Sequence, residues 1–145
     1  MKIRLTTKDD MNALGSIAEA AGLFPADMIS DMPKDDDIWL TCEFDEQPTG
    51  FAFARLEYPT EDAWNMLAIG VDPAQQRSGT GKALVAQIEA ELREKGGRIL
   101  IVDTSGTDDF APARKFYETL GYEAEARIRD YWADGDDKVI FRKVL

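Results

Sequence analysis

The middle of the chain constrains the fold most, because a buried strand, a turn with two glycines and an amphipathic helix follow one another there. The strand, residues 64–71, is largely apolar, and this pattern predicts burial on both of its faces. Apolar residues recur at helical spacing through residues 79–95, and Gly96 and Gly97 end that helix. Residues 98–103 form a second apolar strand. A crossover of this length predicts that the two strands run parallel.

The remaining segments predict antiparallel hairpins and three further helices around this unit. Thr7 followed by Asp10 indicates a capping box at the first helix, and residues 45–49 form the turn of the first hairpin. Together with the central unit, they predict a mixed, mostly antiparallel α/β sheet of about seven strands with helices on both faces. No linker or repeat divides the sequence, so we expect one domain, residues 1–145. The other strands are predicted at residues 3–6, 38–44, 50–57, 122–132 and 138–144, and the other helices at residues 7–22, 24–32 and 108–121.

The composition excludes several classes of chemistry. The chain has no histidine and one cysteine, Cys42, so His-based catalytic triads, zinc sites with His ligands, clusters of cysteine ligands and internal disulfides are excluded. The net charge of −11 opposes binding to DNA or RNA. The sequence starts without an apolar signal-peptide core, and its apolar stretches are too short to span a bilayer. We therefore expect a cytoplasmic protein with no metal and no nucleic-acid or membrane partner.

The turn between the central strand and helix has the properties of an anion-binding site. Two glycines one residue apart, Gly79 and Gly81, permit backbone angles and close approaches that other residues do not. The start of a helix leaves several N–H groups unpaired, and the helix dipole adds positive potential there. Arg77 and Lys82 add positive charge in an otherwise acidic protein. These features together predict a binding site for a pyrophosphate group.

Three known kinds of phosphate-binding loop can be compared with this turn. A Walker loop does not fit, because Gln76 and Ala83 stand where it requires a glycine and a serine or threonine. A dinucleotide-binding fingerprint does not fit either, because Leu84 stands where its third glycine is required. The pattern Gln-x-x-Gly-x-Gly, from Gln76 to Gly81 after an apolar strand, resembles the loop of the GCN5-related N-acetyltransferase (GNAT) family. In that family the loop holds the pyrophosphate of acetyl-CoA.

A second stretch extends the resemblance. The family has a helix that ends in an aromatic-Tyr-x-x-x-Gly-aromatic pattern, and residues 116–122, Phe-Tyr-Glu-Thr-Leu-Gly-Tyr, fit it. The resemblance implies an acetyl-CoA-dependent N-acetyltransferase that acts by direct transfer in a ternary complex, with a sheet splayed between its fourth and fifth strands. It also implies that Tyr117 is the general acid that protonates the departing CoA thiolate. The cofactor-binding residues that it implies are Ile69, Val71, Gln76, Arg77, Ser78, Gly79, Thr80, Gly81, Lys82, Phe110, Arg114 and Phe116.

Two positions depart from the family's pattern. Many members carry a glutamate base on the fourth strand, but its place falls at or near Asn65, which cannot act as a base. Glu61 and Asp62 lie slightly too early in the chain, so the base is left open, and we favour a chain of waters that relays the proton to a carboxylate. Phe110 stands where many members carry an asparagine that contacts CoA. These departures keep an alternative open, a catalytically weak CoA-binding or regulatory module of the same fold.

The acceptor is expected to be a small-molecule or peptide amine. In the family, the first two helices and the last hairpin select the substrate, and here they carry aromatic and acidic residues that suit a small cationic amine. O-acetylation, a longer acyl donor and use of the loop for ATP are further alternatives, and the missing Walker residues disfavour the last. The resemblance is compatible with a homodimer. The residues expected on the acceptor side are Phe24, Asp27, Met28, Asp31, Trp39, Tyr131 and Trp132. A place in the core or in a dimer contact is the alternative for each of the aromatic residues.

Overall fold

The computed structural model describes residues 1–145, in which seven strands form one sheet and three α-helices pack against it. Short 3₁₀ helices lie in the connections, at Lys8–Asp10, Ala26–Asp31, Pro73–Gln75 and Asp108–Phe110. The α-helices are α1 (Met11–Ala20), α2 (Thr80–Glu94) and α3 (Ala111–Thr119). The strands are β1 (Lys2–Leu5), β2 (Ile38–Phe44), β3 (Gln47–Leu56), β4 (Ala63–Val71), β5 (Ile99–Ser105), β6 (Glu123–Ala133) and β7 (Asp136–Val144).

The order of the strands across the sheet is β1-β2-β3-β4-β5-β7-β6. Neighbouring strands are antiparallel except β4 and β5, which run parallel and are connected through α2. This topology confirms the predicted mixed, mostly antiparallel sheet and the parallel pair on either side of the central helix.

The sheet is splayed between β4 and β5. The two strands pair along only three residues each, from Ala63 with Ile99 to Asn65 with Ile101. Beyond Asn65, β4 contains a bulge, because the register against β3 skips Leu67, and Leu67 is 42% exposed. The prediction that this strand is buried on both faces is therefore wrong for its second half, where no β5 neighbour covers it. The splay confirms the fold that the family resemblance implies.

Helices cover both faces of the sheet, as predicted. On one face, α2 and α3 pack on the sheet through a buried stripe that includes Leu84, Ile88 and Leu92. On the other face, α1 packs against β3 and β4, and its contact with the following 3₁₀ helix is close because a Cβ at Gly15 would lie 2.7 Å from the Ala26 carbonyl oxygen. The far edge strand, β6, is exposed along its whole length.

Three local predictions require correction. The segment predicted as a helix at residues 24–32 is the 3₁₀ helix Ala26–Asp31, whose short length follows from Pro25 before it and Pro33 soon after it. The first hairpin turn has two residues rather than five, because Asp45 and Glu46 both take positive φ angles and β3 begins at Gln47. The strand predicted to end at residue 103 continues to Ser105.

The predicted capping box before α1 is present and includes an ion pair. Asp10 is 5% exposed, and its Oδ2 accepts the Thr7 backbone N–H at 2.8 Å. Arg4 donates two hydrogen bonds of 2.8 Å to the Asp10 carboxylate. These bonds lower the pKa of Asp10 from 3.8 to about 2. Because the folded-state pKa lies below the unfolded one, the ion pair stabilises the fold above about pH 4 and this stability is lost as the pH falls toward about 2.

Arg4→Met should therefore lower the free energy of unfolding by about 2 kcal/mol at pH 7, since each unit of pKa shift is worth about 1.4 kcal/mol. The deficit should shrink as the pH falls below about 4, where Asp10 becomes protonated in the unfolded chain. Urea denaturation at about pH 7, 4 and 3 measures this deficit above and between the unfolded and folded pKa values of Asp10. Lys2→Met is the control, because Lys2 is exposed and its 3.7 Å contact with Glu43 should contribute little. A deficit independent of pH would contradict this role for Asp10.

Candidate active site

The glycine loop presents backbone N–H groups at the start of α2. Gly79 caps the helix with a φ of +88°, a left-handed conformation that favours glycine. The first intrahelical hydrogen bond runs from the Ala83 N–H to the Gly79 carbonyl at 3.0 Å. The N–H groups of Thr80, Gly81 and Lys82 therefore precede the hydrogen-bonded ladder and are available to an anion at the positive end of the helix.

The side chains of the loop divide into exposed and buried groups. Gln76, Arg77, Ser78 and Lys82 are exposed around the start of α2, and their assignment to a bound phosphate group stays a prediction. Thr80 is different, because it is 3% exposed and turns inward. Its hydroxyl lies 2.9 Å from the Ser78 hydroxyl, so Thr80 can offer a ligand its backbone N–H but not its side chain.

Gly81 brings the third helix against the loop. A Cβ placed at Gly81 would lie 3.3 Å from the tip of the Phe116 ring and 3.9 Å from a methyl group of Val71. The absence of a side chain at this position therefore lets α3 and the end of β4 meet the first turn of α2. The structure thus brings three of the predicted cofactor-binding residues together at one point.

The open half of β4 lies next to this loop. From Ala68 to Val71 the strand pairs with β3 on one side, but β5 no longer pairs with it on the other. Ile69 and Val71 are half-buried there. An extended ligand arm can pair with such an unoccupied strand edge through backbone hydrogen bonds, so the assignment of these two residues to the pantetheine arm is a prediction that the geometry favours.

Tyr117 lies on the buried face of α3. It is 6% exposed and packs among the rings of Phe116, Tyr122 and Phe141, with centroid distances of 5.4 to 5.9 Å. Its hydroxyl forms no hydrogen bond within the protein. Burial raises the pKa of Tyr117 to about 12, so the phenol stays protonated at neutral pH. Tyr117 therefore has the protonation state that a proton donor needs.

Two of the predicted cofactor-binding residues, Arg114 and Phe110, lie at the connection between β5 and α3 and not in the glycine loop. The Arg114 guanidinium donates hydrogen bonds of 2.7 Å to the carbonyl oxygens of Ser105 and Thr107, which hold the connection between β5 and α3 in place. Phe110 is 41% exposed at the start of α3. The assignment of both residues to the cofactor stays a prediction, and the bonds of Arg114 indicate that it also has a structural role.

A polar cluster, of which the sequence predicts only Asn65 at the site, lies on the opposite face of the splayed strands. Asn65 is 5% exposed, and its Nδ2 donates to Glu57 Oε1 at 2.8 Å and to Asp103 Oδ2 at 3.4 Å. Asn65 Oδ1 and Asp103 Oδ1 are both buried and have no hydrogen-bond partner. A buried acceptor without a donor is costly for a fold, so the two oxygens on these neighbouring side chains mark a place where a donor is expected to bind.

Asp103 could have been noticed in the sequence, because it is a charged residue at the end of an apolar run on β5. Its link to Asn65 could not, since that depends on the pairing of Asn65 with Ile101 across the parallel strands. In that register, Asp103 is the next residue on the same face after pairing ends. Glu61, weighed as a base, lies before β4 and is exposed.

Of the residues expected on the acceptor side, some are exposed and others are buried in the core. Trp39 is 7% exposed and stacks on Phe53 with a centroid distance of 3.9 Å, so it belongs to the core and its prediction as a lining residue is wrong. Phe24 packs against the same core cluster and is half-buried. Tyr131 and Trp132, on β6, are about half exposed. The others, Asp27, Met28 and Asp31, are exposed beside or within the 3₁₀ helix after α1.

Gly79→Ala should strain the loop by about 1–2 kcal/mol, the cost of a left-handed conformation for a residue with a Cβ. No atom lies within 4 Å of the added carbon, so the effect comes from the backbone alone. We expect a lower free energy of unfolding or, where the loop relaxes, CoA affinity weaker by up to about 30-fold. Thermal denaturation and CoA titration measure both.

Gly22→Ala is the matched control for this change. Gly22 has a φ of +75° and equally open surroundings, but it follows α1 and lies outside the loop. It should lose stability without any loss of CoA affinity. If Gly79→Ala changes neither stability nor affinity, the left-handed cap does not shape the anion site.

Comparison with known proteins supports the family resemblance. The model of the acetyltransferase (GNAT) family matches residues 12–122. A solved structure of a GNAT-family protein from Desulfovibrio desulfuricans is 30% identical, with a TM-score of 0.92 over 99% of this chain and 98% of that one. Glucosamine 6-phosphate N-acetyltransferase from Trypanosoma brucei brucei is 30% identical over an alignment of 141 positions, which covers 88% of this chain and 92% of that protein. The alanine N-acetyltransferase of ribosomal protein bS18 from Escherichia coli (strain K12) is 26% identical over 129 residues, 89% and 85% of the two chains.

The matched region contains the glycine loop, the splayed strands and the helix that carries Tyr117. None of the helices combines the length and the apolar character needed to cross a membrane. The enzyme class and the cosubstrate that the resemblance implies are thereby confirmed, and the chain is an acetyl-CoA-dependent N-acetyltransferase. Because the family model covers both motifs and a family structure superposes on the whole fold, the chain belongs to the acetyltransferase (GNAT) family.

Proposed function

We propose that this N-acetyltransferase passes the acetyl group directly to a primary amine, which enters from the face of the sheet that carries Asn65 and Asp103. Tyr117 belongs to the buried cluster on the other face, with α2 and α3. The gap between β4 and β5 connects the two faces. Direct transfer is supported by the position of Cys42, which is completely buried in β2 and cannot carry an acetyl group.

The two unpartnered oxygens of Asn65 and Asp103 are the observation that carries this proposal. A primary ammonium offers three N–H donors, and a buried amide oxygen beside a carboxylate oxygen can accept two of them. Glu57 accepts from the Asn65 Nδ2, which fixes the amide so that its oxygen stays available. In this arrangement Asn65 orients the amine and Asp103 is the base. Asp103 is thus the carboxylate that receives the proton, directly or through one water.

The transfer step balances with these groups. The bound ammonium first loses one proton to water, which frees the electron pair of its nitrogen. The amine nitrogen then forms a bond to the thioester carbon, the carbon–sulfur bond breaks, and the electron pair leaves with sulfur. Tyr117 donates its phenolic proton to that sulfur, while Asp103 takes a proton from the amine. Backbone N–H groups on the open half of β4, near Ile69, can stabilise the negative charge that develops on the thioester oxygen.

The cosubstrate is proposed to lie along the loop and the open strand edge. The pyrophosphate would bind at the start of α2, and the pantetheine arm would pair with β4 at Ile69 and Val71. The helix start with unpaired N–H groups, the missing side chain at Gly81 and the unpaired strand edge fit a ligand of this shape. The remaining proposed contacts are Gln76, Arg77, Ser78, Gly79, Thr80, Lys82, Phe110, Arg114 and Phe116.

The acceptor is proposed to be a cationic amine on a small molecule or a peptide. The carboxylates of Glu57 and Asp103 face the place where it would bind, in a protein with a net charge of −11. The matched relatives include an enzyme for an alanine of a ribosomal protein and one for glucosamine 6-phosphate, so both sizes of amine deserve a test. A single domain, a homodimer and a cytoplasmic location stay predictions.

A panel of amines tests this function through the release of CoA thiol. It includes an alanyl peptide, glucosamine 6-phosphate, a diamine and an N,N-dimethyl analogue of the best amine. We expect turnover with at least one primary amine and none with the dimethyl analogue, which has no proton to lose after attack. A protein that binds acetyl-CoA but turns over none of the amines would instead be the CoA-binding module.

A further inference from the structure

One lysine of the last hairpin holds its amine beside the proposed base. Lys138 Nζ lies 3.3 Å from Asp103 Oδ2, and the side chain is 16% exposed. The same nitrogen lies 4.4 Å from the centre of the Tyr131 ring and 5.9 Å from that of Trp132. Aromatic faces and a carboxylate both attract an ammonium group. The surroundings of Asp103 therefore already bind one primary amine, and that amine belongs to the protein.

The position of Lys138 follows from the sheet. Lys138 pairs with Ser105 across β5 and β7, two residues beyond Asp103 on the same face. Asp103 Oδ2 also accepts from Asn65 at 3.4 Å. The Lys138 amine is thus separated from Asn65 by a single carboxylate oxygen, at the end of the strand pairing where β4 and β5 begin to separate.

We propose that Lys138 is a self-acetylation site, at which the enzyme acetylates its own amine when acetyl-CoA is bound and no acceptor is present. This inference rests on the proposed function, because it uses the same cleft, the same base and the same acid. An amine held beside the base has a high effective concentration, so a slow reaction within one molecule can compete with transfer to an acceptor from solution.

The step forms one amide and releases one CoA. The Lys138 ammonium first loses one proton to water, which frees the electron pair of its nitrogen. The neutral nitrogen then bonds to the thioester carbon, the carbon–sulfur bond breaks, and sulfur takes its proton from Tyr117. Asp103 takes the second proton, which the lysine nitrogen loses as the amide forms, and Tyr117 and Asp103 then exchange protons with water. The reaction stops after one acetyl group per chain, because the product amide is not nucleophilic.

Acetylation at this position would change the acceptor side. The lysine would lose its charge, and with it the ion pair to Asp103 and the attraction to the two aromatic rings. Asp103 would then face the acceptor without an internal ammonium as competitor. Conversely, a saturating acceptor amine should displace Lys138 from Asp103 and protect it from acetylation.

Lys143 offers a matched control within the same strand. Its amine lies 2.9 Å from Glu89 and 5.3 Å from the centre of the Tyr122 ring, so it also combines a carboxylate with an aromatic face. However, it lies on the opposite face, against α2, and away from Asp103. Chemical acetylation by acetyl-CoA in solution would instead favour exposed amines such as Lys2, whose side chain is 71% exposed.

The test incubates the purified chain with acetyl-CoA alone and follows the intact mass and the peptide map. We expect one acetyl group, located at Lys138, at a rate per molecule that does not depend on protein concentration. Tyr117→Phe should slow it, the best acceptor of the panel should suppress it, and Lys143→Arg should be acetylated like the wild type. Lys138→Arg should take up no acetyl group, and the wild-type peptide map decides the question where this variant folds poorly.

Acetyl groups found at exposed lysines without Lys138, or labelling that Tyr117→Phe does not slow, would overturn the proposal. Labelling that accelerates with protein concentration would also overturn it, because the reaction would then occur between molecules. Thiol release with the amine panel is measured in parallel. Turnover without acetylated Lys138 rejects this inference alone. The absence of both turnover and acetyl-CoA binding rejects the proposed function together with it.

Discussion

Asp103→Asn should lower kcat/KM for the acceptor amine by about 10²–10⁴-fold, the usual contribution of a general base. Asparagine keeps the shape of the side chain and one of its oxygens, but it cannot take the proton. Since Asp103 lies on the acceptor face of the gap and not at the glycine loop, acetyl-CoA affinity should stay unchanged. Steady-state kinetics with the best amine, together with an acetyl-CoA titration, measure the two quantities separately.

Glu57→Gln is the matched control for this substitution. Glu57 also contacts Asn65, and glutamine keeps an oxygen that can accept the Asn65 Nδ2 bond of 2.8 Å. Its kcat/KM should stay within about tenfold of the wild type, since one altered hydrogen bond is worth about 1 kcal/mol. If the loss in Glu57→Gln equals or exceeds that in Asp103→Asn, Glu57 is the base and the roles assigned to the two carboxylates are wrong.

Tyr117→Phe should lower kcat by about 10²–10⁴-fold, because the departing sulfur loses its proton donor. The ring stays in its aromatic surroundings, and no hydrogen bond within the protein is lost. The midpoint of thermal unfolding and the affinity for acetyl-CoA should therefore both match the wild type. A fall in kcat with unchanged binding separates a missing acid from a damaged cofactor site.

Tyr122→Phe is the matched control, because this neighbouring substitution should lower stability and leave kcat unchanged. Tyr122 is 3% exposed, its ring lies 5.9 Å from that of Tyr117, and its hydroxyl donates to Glu89 at 2.9 Å. Loss of this bond to a charged group should cost about 1.5–3 kcal/mol of stability, with kcat preserved. If Tyr122→Phe loses turnover and Tyr117→Phe keeps it, the acid has been assigned to the wrong tyrosine.

Local patterns were sufficient to predict most of the fold. The apolar stripe of α2 and the glycines after it define that helix from neighbouring residues alone, and its length requires the parallel pair β4–β5. The predictions were wrong where the spacing of apolar residues fits more than one local structure. Leu67 reads as one more apolar residue of a buried strand, and only the register against β3 shows that it forms a bulge.

The two sides of the site differed in how far the sequence could predict them. The glycine loop is contiguous in sequence, so its residues and its helix could be named together. The cluster joins Glu57, which follows β3, to Asn65 within β4 and Asp103 within β5, at separations of 8 and 38 residues from Asn65. Only the pairing of distant strands brings them together, and the same holds for Lys138 on β7. The burial of Trp39 likewise depends on its stacking against β3.

Initial rates measured while both acetyl-CoA and the best amine are varied test the direct transfer most sharply. With both substrates bound in the gap between β4 and β5 and no residue carrying the acetyl group, double-reciprocal plots should intersect. Parallel plots, the signature of a covalent acetyl-enzyme that forms before the amine binds, would contradict direct transfer from acetyl-CoA to an amine beside Asp103.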